Sequence, residues 1–125
     1  MTQLHFFLCF ALLCLICISH SFPIHELEQK LKGILLTNNE QDQNLQKLYN
    51  DSIYIDNGAF QKRPNILVLP IDARDVQETI RFSQKYNASL TVKGGGHSAV
   101  GYCLNENIVL DMRYVLRNVA SKASS

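Results

Sequence analysis

A run of three glycines, residues 94–96, directly follows the apolar stretch Leu90–Val92 and Lys93, and His97 and Ser98 come immediately after it. Residues without a Cβ can adopt positive φ angles, so successive backbone N–H groups can converge on one point. Such a concavity suits an anion, most often a phosphate. Lys93 adds a positive charge at the end of the predicted strand. The sequence therefore predicts a strand followed directly by an anion-binding loop. The imidazole of His97 and the hydroxyl of Ser98 lie at the end of that loop.

Residues 66 to 93 predict a strand-helix-strand unit that ends in this loop. Ile66–Leu69 is a continuous apolar run closed by Pro70, which is typical of a strand buried on both faces. Asp72 can cap a helix that begins near Ala73 and ends near Asn87. A right-handed parallel crossover would place the loop at the carboxyl end of the second strand, where α/β sheets usually bind ligands.

The rest of the predicted core comes from the helix and from a later strand. Val76, Ile80 and Phe82 are expected to be buried, and the helix face to be formed by Ala73, Val76, Ile80 and Ser83, with Phe82 and Tyr86 beside it. Ile108–Leu110 predicts one more strand, which ends at Asp111. The predicted fold class is α+β, a small sheet with a parallel strand-helix-strand unit and flanking helices.

The segment before residue 66 predicts helices and one strand. Apolar residues spaced as in a helical stripe predict a helix from His25 to Leu36, and a second helical piece runs from Leu45 to Tyr49. Ile53–Ile55 is rich in strand formers and precedes the turn signal Asn57-Gly58. We therefore divide the chain into a leader (1–21), an amino-terminal helical and strand segment (22–65), a partial ligand-binding domain (66–119) and a polar tail (120–125).

The leader resembles a secretory signal peptide. Phe6–Ile18 is wholly apolar, and the first charged side chain is Glu26. An apolar helix of this length reaches roughly 20 Å, short of the ~30 Å hydrocarbon core, so we expect cleavage after Ser21 rather than a stable membrane anchor. Two sequons, at Asn50 and Asn87, fit secretion and predict glycosylation.

Charge and cysteine content argue against a nucleic-acid-binding protein and against a fold held by disulfide bonds. Twelve basic and eleven acidic side chains give a net charge of +1, which does not suggest nucleic-acid binding. Cys103 alone lies outside the leader, so the remaining chain can form no internal disulfide, and we expect this cysteine to be a small buried apolar residue.

Spacing weakens four other interpretations of the loop. Only eleven residues separate Gly96 from Ile108, too few for the crossover of a Rossmann unit, and Tyr102 and Cys103 occupy the Lys and Ser/Thr places of a Walker loop. Ser98 comes close to a nucleophile elbow, but the second glycine falls at Gly101, one residue too late. His97, Cys103 and Asp111 lack paired spacing, so no metal site is predicted.

The loop and its flanks resemble a known family. Ile66–Pro70, Asp75-Val76, Leu90–Ser98, Gly101 and Ile108–Asp111 together look like the PCMH-type FAD-binding domain of the vanillyl-alcohol oxidase superfamily, nearest its berberine-bridge-enzyme-like FAD-linked oxidases. The resemblance covers about half of the chain.

The resemblance implies FAD as cofactor and a set of residues that hold it. Lys93, Gly94, Gly95, Gly96, His97, Ser98 and Gly101 would bind the cofactor, with the loop amides on the diphosphate. The imidazole of His97 would be bonded to the 8α-methyl group of the flavin, which raises the flavin potential. Relatives commonly carry arginine where this chain has Lys93, which keeps the charge but loses the bidentate fork.

The resemblance also implies a secreted oxidoreductase that takes a hydride from an alcohol, sugar or amine carbon of a small molecule. Family members are several times longer, so we expect this chain by itself to bind FAD weakly or not at all and to turn nothing over. No catalytic residue is assigned. Two alternatives stay open: a non-catalytic secreted glycosylated α/β module, and an acyl hydrolase with Ser98 as nucleophile.

Overall fold

A computed structural model describes residues 21–55, 58–95, 97, 102–115 and 117. Eight elements follow in chain order within these ranges: α1 (Ile24–Glu28), β1 (Ile34–Thr37), α2 (Gln43–Ile53), a 3-10 turn (Gly58–Phe60), β2 (Ile66–Leu69), α3 (Ala73–Lys85), β3 (Leu90–Lys93) and β4 (Ile108–Asp111). The leader lies outside the described residues.

The strands form one four-stranded sheet in the order β1-β2-β4-β3. β4 is parallel to both β2 and β3, whereas β1 is antiparallel to β2. The predicted parallel strand-helix-strand unit is present, but β4 lies between its two strands. The carboxyl ends of β2, β4 and β3 therefore meet at one edge of the sheet, which we call the carboxyl edge.

Helices cover both faces of the sheet, and side chains alternate between two cores. β2 and β4 are buried along their whole length, as a continuous apolar run predicts. One core lies against α2 and consists of Leu36, Tyr49, Ile53, Ile55, Leu67, Leu69, Leu104 and Val109. The other lies against α1 and α3 and consists of Leu27, Ile66, Val68, Phe82, Ala88, Ile108 and Leu110. The mixed sheet with flanking helices confirms the predicted α+β class.

The predicted helix from His25 to Leu36 is wrong beyond its first turn. Helix α1 ends at Glu28, and Ile34–Thr37 forms strand β1. The Asp75 carboxylate accepts hydrogen bonds from the backbone N–H groups of Lys32 and Gly33, at 2.8 and 2.9 Å. This long-range contact turns the chain into register with β2, and strand pairing there replaces the local helical pattern.

The predicted strand Ile53–Ile55 is also wrong. Helix α2 continues to Ile53, and Ile55 reaches the core from irregular backbone while Tyr54 is exposed. The Asp42 carboxylate caps the helix by accepting from the N–H groups of Asn44 and Leu45, which starts it two residues before the predicted Leu45. The strand propensity of Ile53–Ile55 is therefore outweighed by the stability of a capped amphipathic helix.

Helix α3 agrees with its predicted limits but not with its predicted buried face. Asp72 caps it through the N–H of Asp75, and Lys85 is its last residue. Phe82 and Ser83 are buried and Val76 packs at the core margin, whereas Ala73 and Ile80 are exposed. The buried stripe is displaced toward Asp75 and Thr79, because the Asp75 carboxylate faces inward to hold the 32–33 turn.

Helix α1 is docked onto α3 by an ion-pair cluster around Glu26. Lys85 Nζ donates to both Glu26 carboxylate oxygens, at 2.8 and 3.0 Å, and the Tyr86 hydroxyl donates to one of them. The hydrogen bonds from Lys85, and then from Tyr86, lower the pKa of Glu26 from 4.5 to about 2.

This cluster predicts acid sensitivity. Because the pKa of Glu26 is depressed in the folded state, its stabilisation is complete above the unfolded pKa and is lost as the pH falls from about 4.5 toward 2. We expect the urea midpoint of the wild-type chain to fall more between about pH 6 and pH 2.5 than that of Glu26→Gln. If the urea midpoint changed equally with pH in the two chains, the cluster would not contribute to stability.

Candidate functional site

The glycine loop leaves the sheet at the carboxyl edge, as the sequence predicted. Strand β3 ends at Lys93, and its register partner at the end of β4 is Asp111. The N–H of Met112 donates to the carbonyl of Lys93 at 2.8 Å, which extends the pairing one residue past the strand ends. This edge therefore holds the start of the loop against a rigid parallel pair.

The imidazole of His97 lies over Gly95. A Cβ built on Gly95 would be 2.7 Å from His97 Cδ2 and 2.9 Å from Nε2, closer than real Cβ atoms come. The side chain of His97 is exposed, and Gly94 is half-buried. The ring therefore lies on the outer surface of the loop and not in either core. A large ligand could reach it there.

This packing predicts different effects for two neighbouring glycines. Gly95→Ala should push the His97 ring out of place, whereas a Cβ at Gly94 meets no atom of the described residues within 4 Å. Because an exposed ring can rotate away at low cost, we expect both variants to keep their stability within about 0.5 kcal/mol. The imidazole NMR signals of His97 should shift in Gly95→Ala and stay in place in Gly94→Ala; a shift of the same size in both would contradict the geometry.

Lys93, the last residue of β3, is buried rather than exposed at the surface. Its side chain is 1% exposed, and burial lowers the pKa of its ammonium group, while the charge of Asp111 opposes that shift. From the sequence alone, this charge is expected beside a bound anion. Contact between Lys93 and a cofactor stays a prediction, and the structure gives the residue a place in the buried charge cluster that supports the loop.

Arg113 completes that cluster and was missed by the sequence analysis. Its Nε donates to both carboxylate oxygens of Asp111 at 2.9 Å, and its Nη2 donates to one of them at 2.6 Å. Asp111 is fully buried, and its hydrogen bonds raise the pKa of Arg113. The spacing Asp-x-Arg at the end of a buried strand is the signal that could have revealed the pair, since a buried carboxylate needs a partner.

Several predicted site residues lie outside the described residues, namely Gly96, Ser98 and Gly101. Their roles stay predictions, including that of Ser98 as a nucleophile. Cys103 is a free cysteine packed against the α2 core and only partly buried. In the described ranges, no group of three or more His, Cys, Asp or Glu side chains is placed to hold a metal ion.

A second concave surface lies away from the loop. A cavity of about 330 Å³ lies where β1 ends and β2 begins, at the opposite end of β2 from the carboxyl edge. Its lining consists of Ser21, Phe22, Ile24, Thr37, Asn38, Asn39 and Asn65. None of these side chains is charged or belongs to the predicted site, so the glycine loop remains the candidate site.

The described part of the loop fits the diphosphate of a dinucleotide. Gly94 and Gly95 present backbone without side chains, and an exposed imidazole follows at His97. Lys93, which directly precedes these glycines in the chain, carries the basic side chain of this segment. Main-chain N–H groups with nearby positive charge are the donors that a diphosphate requires.

Comparison with known proteins supports this interpretation. Residues 64–124 match a family model described as an FAD binding domain. The chain is 42% identical over 52 residues to the uncharacterized oxidoreductase ORF5 in the fasciation locus of Rhodococcoides fascians, an alignment that covers 41% of this chain and 12% of the relative. It is 33% identical over 57 residues to (R)-6-hydroxynicotine oxidase of Paenarthrobacter nicotinovorans, covering 45% of this chain and 12% of that enzyme.

Solved structures show the same fold. BBE-like 1 of Physcomitrella patens superimposes with a TM-score of 0.62 at 18% identity, over 72% of this chain and 19% of that one. The 6-hydroxy-D-nicotine oxidase of Arthrobacter nicotinovorans superimposes with a TM-score of 0.58 at 26% identity, over 67% of this chain and 17% of that one.

These matches show that residues 64–124 are similar to the FAD-binding domain of FAD-linked oxidoreductases, with FAD as the cofactor. The matched residues include the glycine-histidine segment on which the resemblance to PCMH-type FAD-linked oxidases rests, and the solved relatives have the same fold. The chain spans about one eighth of the length of the curated relatives it matches. Among the described residues, no helix is long and apolar enough to cross a membrane.

Proposed function

We propose that this chain supplies the first flavin-binding lobe of a secreted FAD-linked oxidase that acts on an alcohol, sugar or amine carbon of a small molecule. The observation that carries the proposal is the exposed imidazole of His97, lying over Gly95 at the carboxyl edge of three parallel strands. FAD, when bound, supplies the acceptor for a hydride. The residues of this chain bind and orient it.

The proposal assigns the diphosphate to the backbone of the glycine loop. Gly94 and Gly95 lie directly after strand β3, so pairing with β4 fixes the start of the loop. Gly96, Ser98 and Gly101 continue the same binding segment in the sequence. Buried Lys93, paired in register with Asp111, supports the loop from below and contributes positive charge without occupying the space of the ligand.

His97 is the proposed site of covalent attachment, through an imidazole nitrogen, to the 8α-methyl group of the flavin. The residue is exposed and follows the glycines directly, which places the imidazole on the same side of the sheet edge as the loop backbone. An alkylated imidazole withdraws electrons from the flavin and prevents loss of the cofactor outside the cell.

Acid-stable flavin tests this assignment. The full chain would be incubated with excess FAD in air, precipitated with trichloroacetic acid and examined for flavin fluorescence. We expect a small acid-stable fraction, because the chain spans a minor part of its relatives, and we expect none in His97→Ala. His25→Ala is the matched control, since His25 is also exposed but lies in α1.

Two outcomes would contradict the assignment. Acid-stable flavin in His97→Ala at the wild-type level would place the bond on another residue. Absence of acid-stable flavin from every chain, together with unchanged spectra on addition of FAD, would favour the non-catalytic module.

The proposed secretion rests on the leader, residues 1–21. The ring of Phe22, the first residue after the proposed cleavage site, packs edge-on against Phe82, with ring centres 6.4 Å apart and planes inclined by 64°. The N–H of Ile24 donates to the carbonyl of Phe22 at 2.8 Å. The folded unit thus includes Phe22, which supports cleavage after exposed Ser21. Amino-terminal sequencing of secreted protein should begin at Phe22.

A further inference from the structure

We propose that the chain carries an N-linked glycan at Asn87 and not at Asn50, and that this glycan covers the open edge of the sheet at β3. The proposal rests on the proposed entry of the chain into the secretory pathway. The sequence offers two sequons, Asn50-Asp51-Ser52 and Asn87-Ala88-Ser89, and does not distinguish them. The structure places them in different surroundings.

The Asn87 sequon lies in the turn between α3 and β3. Asn87 has a φ of 48°, in the left-handed region that asparagine tolerates, and its side chain is exposed. Ala88 is buried, and its N–H donates to the carbonyl of Ser83 at 2.9 Å, which anchors the turn from the inside. Asn87 and Ser89 are therefore exposed on the outside of this turn in the folded chain, where the Ser89 hydroxyl oxygen accepts from Asn107 Nδ2 at 2.9 Å.

The Asn50 sequon lies inside α2. Ser52 is 1% exposed and faces the core, while Asn50 Oδ1 accepts from Arg63 Nη2 at 3.1 Å and from Gln46 Nε2 at 3.4 Å. An oligosaccharyltransferase binds its sequon as an extended segment and contacts the hydroxyl two residues after the asparagine. Helices form within about a microsecond. Once α2 has formed and packed, the Ser52 hydroxyl is buried, so formation of this helix competes with binding of the segment by the transferase.

The modification forms one bond and breaks one. The Nδ2 nitrogen of Asn87 bonds to C1 of an N-acetylglucosamine residue, and the bond from that carbon to the diphosphate of a lipid-linked oligosaccharide breaks. Nδ2 loses one proton, and the lipid diphosphate leaves. The secretory pathway supplies this donor.

Among the residues that the structure describes, strand β3 lies at the edge of the sheet. The carbonyls of Ser89 and Lys93 accept from the N–H groups of Ile108 and Met112 across the pair with β4. Since alternate residues of a parallel strand bond to opposite sides, the backbone groups of Leu90 and Val92 point away from β4. Val92 is also 57% exposed. A strand of this kind invites pairing with another chain.

A glycan at Asn87 would lie beside that edge. Asn87 precedes Leu90 by three residues, and the chain from Asn87 to Val92 spans at most about 17 Å. A branched, strongly hydrated oligosaccharide at this position would block a second strand sterically. Natural proteins also cover exposed edges with a helix or a loop, and a glycan would cover this edge in the same way.

Gel mobility with and without an endoglycosidase tests the choice of site. The full chain would be expressed in eukaryotic cells, both with its own leader and with an established signal peptide placed before it. We expect the endoglycosidase-sensitive shift to disappear in Asn87→Gln and in Ser89→Ala, and to persist in Asn50→Gln. Ser89→Ala keeps the asparagine, so it tests the sequon even where Asn87→Gln impairs folding.

Expression with the two different signal peptides separates the proposal of secretion from the proposal of the glycan site. Failure of the chain's own leader, with a glycan on Asn87 under the established signal, would overturn secretion and leave the site assignment intact. A glycan on Asn50, or none under the established signal, would overturn the assignment.

Self-association tests the shielding. Enzymatic removal of the glycan from purified protein should increase the dimer and larger fractions in size-exclusion chromatography several-fold. Val92→Lys, which places a charge on the exposed edge, should suppress that increase. An unchanged profile after deglycosylation would show that the glycan does not protect this edge.

Discussion

Asp75→Ala is expected to lower the free energy of unfolding by at least about 3 kcal/mol. The Asp75 side chain is fully buried and accepts hydrogen bonds from the backbone N–H groups of Lys32, Gly33 and Ile71 at 2.8, 2.9 and 3.0 Å. Its removal leaves these donors unsatisfied at the junction that brings β1 to β2. These part-buried hydrogen bonds end on a charged carboxylate, and each such bond contributes roughly 1.5 to 3 kcal/mol.

Urea unfolding would measure this loss, and Asp42→Ala is the matched control. Asp42 also accepts from two backbone N–H groups, but at the exposed start of α2, where loss of a cap costs about 1 kcal/mol. Asp75→Asn keeps one oxygen acceptor and should fall between wild type and Asp75→Ala. Equal losses in Asp75→Ala and Asp42→Ala would show that Asp75 acts only as a helix-end charge.

Gly33→Ala is expected to destabilise the chain by about 2 to 4 kcal/mol. A Cβ at Gly33 would lie 2.3 Å from the carbonyl oxygen of Leu69 and 2.9 Å from Asp75 Oδ2. Neither atom can move freely, since one belongs to the β2 backbone and the other to a carboxylate that accepts three hydrogen bonds, two of them on Oδ2. Relief would therefore require β1 to separate from β2.

The control for this change is Gly58→Ala. A Cβ at Gly58 meets no atom of the described residues within 4 Å, so the variant should be neutral or slightly more stable, because alanine restricts the unfolded chain. Thermal unfolding of both variants would separate the collision at Gly33 from a general effect of replacing glycine. A neutral Gly33→Ala would mean that β1 does not approach β2 as closely as the structure shows.

The sequence predicted the parts of the fold that are governed by local patterns. Ile66–Leu69 and Ile108–Leu110 are continuous apolar runs, and both are strands buried on both faces. Asp72 caps α3 as its position indicated. The glycine loop follows β3 because a short strand and residues without side chains adjoin in the sequence. The resemblance to FAD-linked oxidases added the cofactor, which no local pattern could name.

The sequence could not predict contacts between distant segments. Asp75 lies in the first turn of α3, where the local sequence favours any acidic residue, whereas in the structure its carboxylate binds a turn 42 and 43 residues earlier in the chain. That contact is the reason why the apolar stripe at Ile34 and Leu35 forms a strand. The burial of Lys93 and its place near Asp111 and Arg113 likewise depend on the parallel pairing of β3 with β4, which periodicity does not reveal.

Backbone amide chemical shifts during titration with FAD test the central claim most directly, because they detect even weak binding by the chain. The account predicts that FAD shifts the amide signals of Gly94, Gly95 and His97 first and in a saturable way. AMP, which carries the adenosine part with a single phosphate, should shift them less. Shifts centred on the cavity lined by Asn38 and Asn65, with the loop amides unmoved, would contradict the assignment of the glycine loop as the FAD site.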